Sequence, residues 1–218
     1  MGFIIASIRQ LLTPESLRKN GVKQIIISIL QITTIYRRVI LVERNLKEPI
    51  PTIVAKMPVV VDLLQLNEVE DLAAFCARNY PTLTETKIRR RLSQGQLCFQ
   101  ARYNESIVHA IWVAFGVFSH PYLGLRIHLS SSEAYLYDAH TASEFRNRGA
   151  ALASLIGVIT YLHDAGYSFV KSDVIPPQKS RSTPLLGFQV IGWLARIVIG
   201  PIKLTLFKPI GNTARLSS

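Results

Sequence analysis

Two cysteines in 218 residues, Cys76 and Cys98, lie in apolar contexts without CxxC spacing. That excludes a disulfide framework and a zinc ribbon and leaves two buried free thiols as the expectation. The five histidines, His109, His120, His128, His140 and His163, make no HxxxH or HxH pair, so no metal is expected. Long apolar runs are missing too. The Ile25–Ile35 run is interrupted by Ser28, Gln31, Thr33 and Thr34, and the stretch 187–207 contains Gly192, Arg196, Gly200, Pro201 and Lys203. Neither reads as a transmembrane helix. The start, MGFIIASIRQLL, has no basic n-region and no cleavage site, and Ala6 stands where a myristoylation signal needs Ser or Thr. No secretory leader or myristate is therefore expected, and the expected compartment is the cytoplasm. Internal repeats and low-complexity segments are absent.

Acid is scarce relative to base: 14 Asp and Glu against 25 Lys and Arg give a net charge of +11. This balance favours acidic partners such as nucleic acid, anionic lipid or a polyphosphate. The lack of any RNA-binding or zinc-finger signature, and of a long basic tract, argues against nucleic acid. Residues 1–50 hold eight basic and three acidic side chains, so +5 of the charge sits there. Hydrophobic content of 49% with 18% charged residues marks a globular chain, long enough for one good-sized core and an appendage.

Residues 1–35 read as an N-terminal helical extension. Phe3, Ile4, Ile5, Ile8, Leu11 and Leu12 form an apolar stripe, and Thr13-Pro14-Glu15 starts a second helix. The stripe fits burial on the domain, a homodimer, or peripheral contact with an anionic membrane. A strand is expected over Arg37–Leu46 and another over Val59–Leu66. A helix with an Asn67/Glu70 capping box then runs to about Asn79, and a second covers Thr84 to Gln94. Arg89-Arg90-Arg91 on the second helix reads as a solvated face. Gln96–Tyr103 and Ser106–Phe115 read as a hairpin turning at Asn104-Glu105, with His109 facing its hairpin partner. Ser119-His120-Pro121 reads as a loop, and Leu123–Leu129 as a strand. Tyr167–Val174 reads as a buried strand parallel to its predecessor, Pro176–Phe188 as a short helix or irregular turn, and Gln189–Ile199 with Lys203–Phe207 as a hairpin across Gly200-Pro201.

The most informative stretch is 134–166. Ala134–Thr141 reads as a strand, Ser143–Arg148 as a polar turn, and a helix opens at Gly149. Leu152, Leu155, Ile156, Ile159 and Leu162 recur at helical spacing, and Gly166 stands at the helix end. The first amides of a helix lack intrahelical acceptors and carry the positive end of its dipole. Gly149, Ala150 and Ala151 let a ligand approach that backbone, and Arg146 and Arg148 add charge. The expected ligand is a phosphate or pyrophosphate.

Ser143-Glu144-Phe145-Arg146-Asn147-Arg148-Gly149-Ala150-Ala151 resembles the acyl-CoA loop of the GNAT N-acetyltransferase superfamily. Arg146, Gly149 and Ala151 match its pattern, and Asn147 stands where many members have glycine. Later, Ser180 and Gly187-Phe188 resemble a second family motif, although Pro177 replaces its Asn. The resemblance covers about residues 55–208. It implies an α+β fold, a central and mostly antiparallel sheet flanked by helices, as an acyltransferase domain over 36–208 between the extension and a 209–218 tail. It implies that acetyl-CoA, or another acyl-CoA, is the co-substrate, held by Thr141, Arg146, Asn147, Arg148, Gly149, Ala150, Ala151 and Ser180. The acyl group would pass to an amine-bearing acceptor by direct attack.

Such a transfer needs a base for the amine, a donor for the carbonyl oxygen and a proton for the departing thiolate. Asp138, His140 and Glu133, along the central strand, are the candidate bases. On a regular strand Asp138 and His140 share one face and Glu133 lies on the other, unless a bulge intervenes. The tyrosine that supplies the thiolate proton in many family members is Thr183 here, and no tyrosine follows Tyr167. Ser180, Ser182, Thr183 or water is left for that role. Two alternatives remain beside the transferase: a catalytically degenerate binding or interaction module, and a related enzyme drawing on an acyl carrier protein or aminoacyl-tRNA.

Overall fold

Asn104 and Glu105 both adopt positive φ, 48° and 65°, which turns the chain tightly enough to pair β3 (Leu97–Tyr103) with β4 (Ser106–Ala114). This hairpin sits within an eight-stranded sheet. The computed structural model describes residues 34–51, 56–176, 182–199 and 202–210. The expected N-terminal helices, the Gly200-Pro201 turn and Ser180 therefore lie outside the described residues.

The other strands of the large sheet are β1 (Thr34–Asn45), β2 (Val60–Leu63), β7 (Glu133–Thr141), β8 (Phe169–Val174), β9 (Gln189–Ile199) and β10 (Ile202–Pro209). Their order is β10-β9-β1-β8-β7-β4-β3-β2. Every neighbouring pair is antiparallel except β7 and β8. Those two are parallel because α3 (Ala150–Asp164) carries the chain from one to the other. The sheet begins at Thr34 and ends at Pro209. β1 is the first strand in sequence, yet it lies between β8 and β9.

Helices cover both faces. Residues alternate across each strand, so Trp112, Tyr135 and Tyr137 join α1 (Val69–Asn79) and α2 (Glu85–Ser93) in one buried cluster. Ile111, Val113, Leu136 and Val170 join Val158, Ile159 and Leu162 of α3 in the other. The two cysteines are buried and free, and burial pushes the Cys76 thiol up to about 11.

Several local expectations are corrected. The capping box precedes the expected one: the Gln65 N–H donates to Glu68 Oε2 at 2.8 Å, opening a 3₁₀ turn over Leu66–Glu68 ahead of α1. Ser119 and His120 belong to a strand, β5 (Val117–His120), paired with the short β6 (Leu125–His128). Arg91 is not part of a solvated face, because its guanidinium is largely covered and pairs with Asp138. No helix among the described residues is long and apolar enough to cross a membrane.

Candidate active site

β7 and β8 part company half-way. Their register runs from Glu133↔Phe169 to Leu136↔Ser172 and then ends. Beyond that point β7 leans on β4, while β8 continues against β1. The wedge between them opens a cavity of about 640 Å³, in the range that takes small ligands. Tyr137 to His140 line one side, Ser172 to Ile175 the other, and Ala151 and Leu155 of α3 lie at the base of the wedge.

The β7 wall is shaped by a bulge. Trp112 pairs with Tyr137 and Ala110 with His140, so Asp138 and Ala139 face Ile111 alone. Asp138 takes φ 47°, the left-handed region that aspartate tolerates better than most residues. Without the extra residue His140 would point with Leu136 toward α3. With it, His140 shares the face of Ala110 and Trp112, toward α1 and α2. There its ring stacks on Tyr80 at the end of α1, centroids 3.8 Å apart. Asp138 turns to the same side and accepts a hydrogen bond from Arg91 Nη2 at 2.6 Å, with both side chains under 15% exposed. The Arg91 guanidinium lies over the rings of Trp112 and Tyr137.

These contacts set the protonation of the site. Burial lowers the His140 pKa below the usual histidine value; Asp138 opposes this, and Arg91 and Arg146 add to it. His140 is therefore neutral at neutral pH, and its ring nitrogens have no hydrogen-bond partner among the described residues. Glu133 is not brought to Asp138 and His140. It sits at the opposite end of β7, where it binds Lys171 and Ser130, outside the cavity. Burial alone would raise its pKa, but those hydrogen bonds hold it below the carboxylate range.

His109 does not simply face its hairpin partner. It is 1% exposed, lines the cavity, and meets Thr141 Oγ1 through Nδ1 at 2.7 Å. Burial, with some help from His140, pulls its pKa down to about 3. On the β8 side, His120 Nε2 donates to Asp173 Oδ1 at 2.9 Å. Its Nδ1 must be the acceptor, because the Leu123 N–H donates to it at 3.1 Å. Tyr135 Oη donates to the same Asp173 oxygen. Both nitrogens of His120 are thus committed to holding Asp173 and the turn that leads into β6. Sequence reasoning missed this set, since His120 was read in a loop and Asp173 lies on another strand.

The loop ahead of α3 leads into a helix start that no side chain caps. Asn147 takes φ 61° and Gly149 φ 97°, both left-handed. Gly149 is the residue before the helix, and no side chain caps the first amides of Ala150, Ala151 and Leu152. Ala150 is buried against Ala101 and Val108, which fixes the helix start to the sheet. Arg146 and Arg148 are exposed around this end, Arg146 donating to the Thr141 carbonyl and Arg148 lying over Phe145. Thr141 closes β7 next to the loop. An anionic group fits these residues. No cluster of three or more His, Cys, Asp or Glu able to hold a metal exists among the described residues.

No protein-family model matches the chain, and no curated protein matches it. Solved structures do. The chain is similar to a GCN5-related N-acetyltransferase from Sphaerobacter thermophilus, with a TM-score of 0.55 and 13% identity over 87% of this chain and 58% of that one. A GNAT-family acetyltransferase from Colwellia psychrerythraea gives 0.53 at 12% identity, over 84% and 61%. A glucosamine N-acetyltransferase region of a fungal multi-domain β-N-acetylglucosaminidase gives 0.53 at 16%, over 82% and 22%. This is the GNAT fold. The chain spans less than two thirds of the length of each of these three proteins. In the GNAT fold of this chain, Ala151 in the first turn of α3, the end of β7 and the parting of β7 from β8 meet at one cavity. α4 (Ser182–Leu185) brings Thr183 to the cavity wall, and Gly187 and Phe188 follow it. Arg44 ties this segment down, donating to the Leu186 carbonyl and, at 2.9 Å, to that of Pro49.

Proposed function

We propose that this protein is an acyl-CoA-dependent N-acyltransferase, most simply an N-acetyltransferase, acting on an amine. The observation that carries the reading is the parting of β7 from β8 directly above an uncapped helix start. Ala151, in the first turn of that helix, also lines the slot between the strands, so a diphosphate held at the helix start would sit beside it. Gly149, Ala150 and Ala151 would hold the diphosphate through their amides, with Arg146 and Arg148 adding charge. Acyl-CoA would bring an activated thioester carbonyl into the slot.

The residues then divide the work. His140, neutral and unpaired, takes the proton from the acceptor ammonium so that the nitrogen lone pair is free. Asp138, hydrogen-bonded to Arg91, would lie beside the ammonium. The β7 amides beyond Leu136 have no β8 partner, and one of them can polarise the thioester oxygen as negative charge develops there. As the C–N bond forms and the C–S bond breaks, the thiolate must be protonated. A hydroxyl on the cavity wall, Tyr122 or Thr183, or water would supply that proton.

The test is amine-dependent release of the coenzyme A thiol by the full chain, compared with His140→Gln. The variant is expected to lose about a hundredfold in kcat with acetyl-CoA affinity unchanged. Equal turnover by both proteins would remove His140 from the mechanism.

A further inference from the structure

We propose that the acceptor amine also carries an anion, a carboxylate or a phosphate, and that Arg37, with Arg196 beside it, holds that group; the proposal rests on the acyltransferase reading above. Arg37 on β1 and Arg196 on β9 are directly opposite in the antiparallel register. Opposite residues share a face, with Cβ atoms about 5 Å apart, and like charges in that relation repel. Neither arginine makes an ion pair among the described residues. Arg37 meets neutral groups only, the carbonyl of Tyr122 and, 5.6 Å away, its ring. Arg196 has no hydrogen-bond partner among the described residues, and Thr205 of β10 stands opposite it on the same face.

Arg37 is also in the right place, with Arg196 next to it across the strand pair. Arg37 lines the same cavity as His140 and Asp138. Strand alternation puts Arg37 on the face of Leu41, which packs into the α1–α2 cluster, and His140 stacks on Tyr80 on that face too. The carboxylates of the cavity do not neutralise Arg37, because Asp138 is taken by Arg91 and Asp173 by His120 and Tyr135. A molecule with an ammonium at one end and an anion at the other would meet Asp138 and His140 with the first and the two guanidinium groups with the second. Guanidinium forks match the oxygens of carboxylate and phosphate.

The experiment uses the full chain with acetyl-CoA and two matched pairs of amines: β-alanine against β-alaninamide, and phosphoethanolamine against ethanolamine. Rates are read as thiol release and binding by calorimetry, for the parent, Arg37→Gln, Arg37→Lys and Arg196→Gln. The anionic member of one pair is expected to exceed its neutral partner in kcat/KM by about tenfold or more. Which pair shows the preference tells carboxylate from phosphate. Arg37→Gln should erase the preference, mainly through KM for the anionic amine, and Arg37→Lys should restore part of it. Arg196→Gln should weaken the preference and, by relieving repulsion, melt no lower than the parent in anion-free buffer. Acetyl-CoA binding with neutral and anionic amines treated alike, or an equal loss for both in Arg37→Gln, overturns the proposal and leaves the acyltransferase reading standing. If acetyl-CoA does not bind, that reading fails. Calorimetry with the four amines then decides the anion site alone: discrimination lost in Arg37→Gln supports it, and no discrimination overturns it.

Discussion

Replacing His109 by asparagine should flatten the acid sensitivity of this protein. His109 is sealed between β4 and β7, with a folded pKa of about 3 against an ordinary value of 6.5. The folded state therefore binds fewer protons than the unfolded state between those two values, and stability must rise with pH across that window. The contribution is fully present above pH 6.5 and is lost as pH falls toward 3. By pH 4.5 the loss from this one group is about 2.7 kcal/mol, from the linkage relation with 1.36 kcal/mol per pKa unit. Asparagine at 109 retains a donor near the Thr141 hydroxyl, now 2.7 Å from the imidazole, but does not titrate. It should cost about 1–3 kcal/mol at pH 7.5 through lost packing and an imperfect hydrogen bond. Its urea midpoint should then fall far less than the parent's between pH 6.5 and 4.5. The assay is urea unfolding followed by tryptophan fluorescence, Trp112 being fully buried at the next position but two on β4. Parallel decline of the two proteins over that pH range would refute the reasoning.

Other substitutions test the same elements. Asp138→Asn leaves Arg91 charged, covered and with Nη1 already lacking a partner, so about 3 kcal/mol of stability should be lost in denaturant unfolding. Because Asp138 raises the His140 pKa, the same change should shift the acid limb of the kcat profile to lower pH, opposite to the effect of removing Arg91. Gly187→Ala would place a Cβ 2.5 Å from Arg44 Nη1 at φ 77°, and should lower the melting temperature by several degrees, about 2 kcal/mol. Gly157→Ala brings a methyl to 2.9 Å from Val61 Cγ1, where α3 crosses β2; rotation of Val61 can absorb much of this, so a cost of about 1 kcal/mol is expected by the same melt.

Local chemistry was legible in the sequence wherever a residue's own conformation decided the outcome. Gly149 and Gly166 bound α3 as expected, Asn147 took the left-handed backbone, Thr84 preceded α2, and Asn104-Glu105 turned the hairpin. What escaped was set by partners distant in sequence. Nothing in Thr34–Asn45 says that the strand will lie between β8 and β9, because any strand with two apolar faces pairs equally well until the rest of the sheet is in place. The bulge at Asp138 depends on β4 having one residue where β7 has two, a count visible only once the pairing exists. Arg91 read as surface since charged runs on short helices are solvated by default; its burial comes from Trp112 and Tyr137, contributed by the sheet. The Asp173 cluster draws on β5, β7 and β8, three segments with no common spacing.

The most direct measurement is calorimetric titration of acetyl-CoA into the full chain and into Gly149→Val. A branched side chain at φ 97° forces the loop out of the conformation that presents the α3 amides. The account predicts one saturable site in the parent and a dissociation constant at least about tenfold weaker in the variant, a change of about 1.4 kcal/mol, with both proteins folded by circular dichroism. Absence of binding by the parent, or equal affinity in the two folded proteins, would contradict it.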